Sequence, residues 1–242
     1  MRFTRHGFRE MLIGSLALSI VAVGLGLAWW PLALVVAPLL VFLFAFFRDP
    51  ERDVPEDQHV MVSPADGKIA DITQLPHHEL LGGPCVRVGI FLSVFNVHIN
   101  RSPCDGKVID VRYKRGRFIN ALNHDEASQR NESNMLVLAE PTSGQPVAVV
   151  KQIVGLIARR IVCEKDVGDF CRRGERIGMI KFGSRTELYI PQRLQPTVVV
   201  DIGQSVRGAA DVIARLGVPV HTVNHGVDRE EMEPLLHRET PA

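Results

Sequence analysis

The chain lacks an excess of charge of either sign. Its 28 lysines and arginines face 27 aspartates and glutamates, a formal net charge of +1 over 242 residues. No global electrostatic signature of a nucleic-acid binder is present, and nucleic acid is not an expected partner. Cysteine is scarce and unpaired. Cys85, Cys104, Cys163 and Cys171 form no Cys-x-x-Cys step and have no paired histidines beside them. That spacing suggests neither a zinc site nor a disulfide framework and reads as buried thiols in a reducing compartment. A third absence is local: between Met11 and Phe47 there is not one charged residue.

That stretch, "MLIGSLALSIVAVGLGLAWWPLALVVAPLLVFLFAFF", is too long and apolar for an ordinary core helix. A bilayer crossing takes about 20 apolar residues, with about 17 as a lower limit, so nearly two short crossings are available. Trp29-Trp30-Pro31 interrupts them near the middle, where proline breaks a helix and tryptophan favours the water interface. Arg2, Arg5 and Arg9 precede the run, and Arg48 and Arg52 follow it. Positive charge at both ends points both to the cytoplasm. The expected element is a transmembrane helical hairpin or re-entrant anchor over residues 1–47, in the cell membrane, with the rest of the chain facing the cytoplasm. A secretory signal peptide and a single exporting span are the rivals. The apolar run outlasts a signal peptide, and no small-x-small site closes it.

Residues 48–60 are polar and proline-punctuated and read as a linker. From residue 61 to about 217 the chain changes to short β-branched runs such as "VRVGIFLSVFNVHI", "KVIDVRY" and "VAVVKQIVGLIARRIV", separated by Gly, Pro, Asp and Ser. This predicts a mainly β domain with one short helix around His124 to Arg130. Two internal echoes stand out. "SPADGKI" at Ser63–Ile69 returns as "SPCDGKV" at Ser102–Val108, and "DVGDFCRRGERIG" at Asp166–Gly178 returns as "DIGQSVRGAADVI" at Asp201–Ile213. Such repeats suggest a barrel or sandwich of similar hairpin units, in shape like lipoyl carrier domains. Residues 218–242 mix charge, His and Pro without periodicity and read as a loosely ordered tail.

Three residues could do chemistry together. Ser184 follows Gly183 at a bend between alternating runs, His98 lies in "SVFNVHINRSP", and Asp66 lies in "SPADGKI". A serine is a weak nucleophile until a base takes its proton, and a histidine oriented by a carboxylate is the usual base near neutral pH. Each residue has a plainer use. Gly-Ser and Asp-Gly are ordinary turn dipeptides, Asp105-Gly106 repeats the second, and a histidine in an alternating strand is commonly structural. A Gly-x-Ser-x-Gly elbow is missing around Ser184, which weakens a serine-hydrolase reading. A membrane-tethered, lipoyl-like adaptor without activity also fits the repeats.

"VSPADGKI", "FLSVFNVHINRSPCDGKV", "NALNHDEASQRNESN", "QIVGLIARRIVC" and "GERIGMIKFGSRTELYIP" together resemble the phosphatidylserine decarboxylases, in particular their shorter bacterial and archaeal-type branch. The resemblance implies a proenzyme that cuts itself between Gly183 and Ser184, leaving a β subunit of residues 1–183 and an α subunit of residues 184–242 as a heterodimer. It implies that Ser184 becomes a pyruvoyl group, a prosthetic group made from the chain, with neither metal nor pyridoxal phosphate. That group would form a Schiff base with phosphatidylserine, release carbon dioxide and give phosphatidylethanolamine. His98 would be the base and proton donor, and Asp66 its orienting carboxylate. Longer members of the family often carry a second histidine three residues before the one matching His98, where this chain has Phe95. The basic run "RYKRGRF" at Arg112–Phe118 would attract anionic head groups or simply be a solvated strand.

Overall fold

The computed structural model describes residues 2–119, 124–155, 160–181 and 184–220. After strand β1 (Arg2–Phe3), helix α1 (Phe8–Ala28) is rich in Leu and Ala, strong helix formers, and beyond Glu10 carries no charged side chain. It ends where Trp29 turns to an extended conformation, and Pro31 opens the short helix α2 (Trp30–Ala33). Helix α3 (Ala37–Phe46) brings the chain back to strand β2 (Arg48–Asp49). The outgoing and returning arms lie side by side: β2 pairs antiparallel with β1, and a Cβ on Gly14 would stand 2.8 Å from Leu43. Most of α1 faces outward, with Leu27 85% exposed. The helix over Arg5–Ala28 is long and apolar enough to cross a membrane, whereas the returning Trp30–Phe46 is shorter.

The remaining elements are β3 (Val60–Val62), β4 (Gly67–His78), β5 (Gly83–Leu92), β6 (Ile99–Arg101), β7 (Gly106–Lys114), α4 (His124–Arg130), β8 (Ser133–Ala139), β9 (Pro146–Val154), β10 (Arg160–Cys163), β11 (Phe170–Cys171), β12 (Arg176–Lys181), β13 (Ser184–Pro191), β14 (Pro196–Val198), β15 (Ser205–Val206) and β16 (Val212–Leu216). The domain is mainly β, as expected, and α4 falls where a short helix was expected. Eight strands form one antiparallel sheet in the order β11-β7-β8-β9-β13-β5-β4-β15, with three-stranded sheets β10-β12-β6 and β14-β16-β3 beside it. Bulges at Ile69/Asp71 and Val108/Asp110 bend matching strands at matching places.

The sequence echoes are repeated bonds. Ser63 Oγ donates to the Ala65 carbonyl at 2.7 Å, and Ser102 Oγ donates to the Cys104 carbonyl at 2.7 Å. Asp66 accepts from the Gly208 amide, and Asp105 accepts from the Arg173 amide, both at 2.7 Å. Strand β4 pairs β15 through Gly67 and Lys68, and β7 pairs β11 through Gly106 and Lys107. The domain is therefore two like units. One is continuous, β6 to β12; the other is split around it, β3 to β5 followed by β13 to β16. The main core, including Ile69, Val88, Leu92, Val108, Leu138 and Leu188, spans both. Of the expected tail, Val220 is buried, and residues 221–242 lie outside the described residues.

Strand β13 is buried along its whole length and carries charge on the face opposite Leu188 and Ile190. Arg185 pairs with Asp71 and, at 2.8 Å, with Glu187; Tyr189 Oη and Ser128 Oγ of α4 donate to Glu187 at 2.6 and 3.0 Å. Burial alone would raise the Glu187 carboxyl. The charges of Arg185 and Lys151 and the donated hydrogen bonds outweigh it and hold the group below the usual carboxylate range. Gly89 on β5 makes room for this network. A Cβ there would stand 1.9 Å from Arg185 Nη2 and 2.6 Å from Asp71 Oδ2, and the guanidinium is held by two carboxylates and cannot swing away. Gly89→Ala should therefore cost about 1–3 kcal/mol, the range of overpacked interiors. Gly83→Ala, whose Cβ would meet nothing within 4 Å, should stay within about 0.5 kcal/mol. Urea midpoints of the detergent-solubilised protein would separate the two.

Candidate active site

Ser184 opens the central strand of the sheet. Its neighbours in register are Leu92 of β5 and Val154 of β9, so the backbone at this position is fixed from both sides. The side chain is fully buried, and its Oγ has no hydrogen-bond partner among the described residues. A buried hydroxyl without a partner costs on the order of 1–3 kcal/mol, so such a group calls for an explanation. Residues 182–183, and with them Gly183, lie outside the described residues.

His98 stands at the entry of β6. The carbonyl of Asn96 can only accept, so the 2.9 Å contact with His98 Nδ1 means that Nδ1 carries the proton. Nε2 is thereby the basic nitrogen, and it too is buried without a partner among the described residues. The Phe46 ring lies over the imidazole at 4.5 Å between centroids. Burial pushes the His98 pKa down to about 4, with Arg48 adding to the shift and the Asn96 hydrogen bond opposing it. At neutral pH the imidazole is uncharged, with the lone pair on Nε2.

The topology brings these two residues to one corner. The Ile180 amide donates to the His98 carbonyl at 3.2 Å, and β12, which carries Ile180, ends at Lys181, three positions before Ser184. Four residues of chain reach at most about 14 Å. On the same faces, two residues on from each, Asn100 Nδ2 donates to Thr186 Oγ1 at 2.9 Å. Asn134 and Gln152 extend that line: Asn134 donates to Gln152 at 3.2 Å, and Gln152 donates to Asn100 at 2.9 Å. This buried amide chain ties β6, β8, β9 and β13 together beside the two orphaned groups.

Asp66 is bonded to groups other than His98. Its Oδ1 accepts from the Gly208 amide, as Asp105 does in the other unit, and its Oδ2 accepts from Arg52 at 2.6 Å. The imidazole nitrogen it was expected to hold is taken by the Asn96 carbonyl. Burial raises the Asp66 carboxyl above its usual range, against the pull of Arg52 and the Gly208 amide. The linker is part of the same assembly. Asp49 pairs with Arg101 at 2.7 Å and also with Arg176, so residues 48–52 are tied down by buried ion pairs. Patterning alone misses this, because a short charged, proline-rich stretch looks solvated.

Further contacts hold the apolar arms against the site. Lys181, near the end of β12, is buried, pairs with Glu10 of α1 and donates to the His6 carbonyl at 2.9 Å. A polar cavity of about 290 Å³ between the start of the chain and the β domain is lined by Phe3, Thr4, Arg5, Asp49, Glu164 and Arg176. It includes neither Ser184 nor His98. Among the described residues no group of three or more His, Cys, Asp or Glu side chains is placed to hold a metal. The four cysteines are free thiols, three buried and Cys163 half-buried. In the basic run, Arg112 is neutralised by Asp110 and Glu79 at 2.7 and 2.9 Å.

Residues 39–214 match the family model described as phosphatidylserine decarboxylase. The chain is 44% identical over 213 residues to a phosphatidylserine decarboxylase proenzyme of Rhodopirellula baltica, covering 88% of each chain. To the proenzyme of the same name from Syntrophus aciditrophicus it is 48% identical over 174 residues, 71% of this chain and 79% of that one. To that of Carboxydothermus hydrogenoformans it is 41% identical over 210 residues, 86% and 96% of the two chains.

The burial of His98 has a consequence in solution. Its folded pKa of about 4 lies below the unfolded value of about 6.5. The unfolded chain therefore takes up the proton first as pH falls, and stability should drop by about 3 kcal/mol between about pH 6.5 and 4 from this residue alone. In NMR titration the imidazole should stay neutral to near pH 4; a midpoint near the unfolded value of about 6.5 would mean that the ring is hydrated rather than buried.

Proposed function

The chain belongs to the phosphatidylserine decarboxylase family, and from that premise we propose how its own residues make and run the site. The enzyme is a lyase that removes the serine carboxyl of phosphatidylserine to leave phosphatidylethanolamine, and it is made as a proenzyme. The observation that carries the assignment of residues is the pair of buried polar atoms, Ser184 Oγ and His98 Nε2, at one corner of the fold, neither with a hydrogen-bond partner among the described residues.

In the proenzyme, Ser184 Oγ attacks the Gly183 carbonyl carbon while His98 Nε2 takes the hydroxyl proton. The acyl bond passes from the Ser184 nitrogen to Oγ, and His98 returns its proton to the freed amine. Loss of the Cα proton then expels the Gly183 carboxylate from Cβ. Water replaces the nitrogen of the resulting dehydroalanine, ammonia departs, and a pyruvoyl group remains at position 184. The site fits that group: it is buried, the hydroxyl to be lost has no partner among the described residues, and the strand behind it is paired on both edges.

Once formed, the pyruvoyl group supplies an electrophile for the substrate amine and a sink for the electrons left when carbon dioxide departs. The protein moves the protons. Neutral His98 Nε2 accepts one from the substrate ammonium and later delivers one to the carbon that has lost its carboxyl. Phe46 keeps water from the imidazole. Asp66 acts as a positioning residue through Arg52, fixing the segment that carries Phe46 and Arg48 over the site. The α1 arm and its return hold the domain at the cytoplasmic face of the cell membrane, where the lipid substrate lies.

The test is intact mass spectrometry of the purified wild type beside Ser184→Ala. The wild type should yield two chains, the smaller covering residues 184–242 and lighter by one ammonia than the unmodified peptide, and Ser184→Ala should remain one chain. His98→Ala should also stay largely uncut, while Asp105→Asn is cut normally. A single uncut wild-type chain would remove the proposed prosthetic group, and an uncut Asp105→Asn with a normally cut Asp66→Asn would move the positioning role to the other unit.

A further inference from the structure

Four arginines, Arg48, Arg52, Arg101 and Arg176, gather where the returning arm meets the β domain. Three are matched by carboxylates: Arg52 by Asp66, and Arg101 and Arg176 by Asp49. Arg48 is different. Its Nη1 donates to the Ala45 carbonyl at 2.6 Å and its Nη2 to the Phe95 carbonyl at 2.7 Å, and no carboxylate pairs with it among the described residues. Two neutral acceptors fix the guanidinium without cancelling its charge. Of its five N–H donors, three are left over.

The position of that charge is informative. Arg48 follows Phe46, whose ring covers His98, by two residues. The loop carbonyl it holds, Phe95, is next to Asn96, whose carbonyl fixes His98 Nδ1. The surroundings are apolar and open: Phe95 is 73% exposed with its ring against Phe42 at 5.9 Å, and Val41 and Phe44 are exposed on α3. A fixed, uncancelled cation thus stands at the rim of an apolar surface, beside the catalytic imidazole.

We propose that Arg48 binds the phosphodiester of the lipid substrate and so sets which part of the head group reaches Ser184. This rests on the decarboxylase reading above. In phosphatidylserine only one oxygen and one methylene separate phosphorus from the carbon that loses carbon dioxide, so a cation beside His98 is within reach of the phosphate when that carbon is at the pyruvoyl group. The carboxylate is the poorer partner, because holding it against a cation stabilises the ground state and opposes its loss. The phosphate keeps its charge throughout, so its binding is uniform across substrate, transition state and product. Loss of such an interaction raises KM and leaves kcat in place.

The experiment compares self-processed wild type, Arg48→Gln and Arg48→Lys on dihexanoyl phosphatidylserine, with dihexanoyl phosphatidylethanolamine as product inhibitor. A charge-assisted contact of this kind predicts that Arg48→Gln raises KM about ten-fold or more, raises the inhibition constant of the product by the same factor and changes kcat little. Arg48→Lys should recover part of both. An unchanged KM overturns the proposal, and so does a KM increase with an unchanged product constant, which would assign Arg48 to the carboxylate.

Calorimetry of dihexanoyl phosphatidylethanolamine on uncut Ser184→Ala, with and without Arg48→Gln, reads the same contact when processing fails or when wild type does not decarboxylate. In the latter case the functional reading fails separately. Weaker binding in the double variant supports Arg48, and equal binding overturns it. Inorganic phosphate should not displace the lipid at equal concentration; displacement would make this a free-anion site and overturn the lipid assignment.

Discussion

The hydrogen-bond ladder around β13 is the constraint on which the rest depends. The strand pairs with β5 along Ser184 to Pro191 and with β9 along Ser184 to Tyr189. Its backbone is therefore satisfied from the first residue, and its outer face is pinned by the Arg185–Glu187 network under α4. A peptide bond just before such a strand can be broken while the ladder from Arg185 onward stays whole. The same ladder holds position 184 within a fixed geometry, which is what proximity-driven chemistry needs.

The apolar arms are joined to the corner that holds Ser184 and His98 rather than merely tethered to it. Phe46 shields the imidazole, Lys181 of β12 reaches back to Glu10 of α1, and Arg48 bonds the loop that leads to His98. Dryness around His98, which keeps the imidazole neutral, is thus supplied by a segment whose composition is that of a membrane element. The apolar arms and the corner that holds His98 are packed as one.

Much of this was legible in residues. The two echoes mark the two like units because the serine and aspartate turns at Ser63/Asp66 and Ser102/Asp105 make the same bonds. The short helix at His124–Arg130 and the serine after glycine were visible as local patterns. Asp66 was harder. Its dipeptide serves the same turn as Asp105, and only the tertiary contact with Arg52 separates the two. The charges of residues 48–52 read as solvated linker, since local composition carries no information on buried partners nearly fifty residues away, such as Arg101. Asn100, Gln152 and Thr186 were invisible for the same reason: a polar residue in a strand looks alike whether it faces water or a buried amide.

The split unit gives the protein a history. While the chain is whole, β13 to β16 find β5 and β9 as an intramolecular event, at the modest entropic cost of closing a loop. In the maturation proposed above, once the bond before Ser184 is cut, the segment carrying those strands becomes a separate molecule that supplies half of one unit and cannot complete a sheet alone. Denaturing the mature enzyme therefore separates partners that were never assembled from solution, and recovery becomes concentration-dependent where first folding was not. Maturation is a ratchet: the native state outlives the route that led to it, and persistence depends on the unfolding barrier rather than on equilibrium.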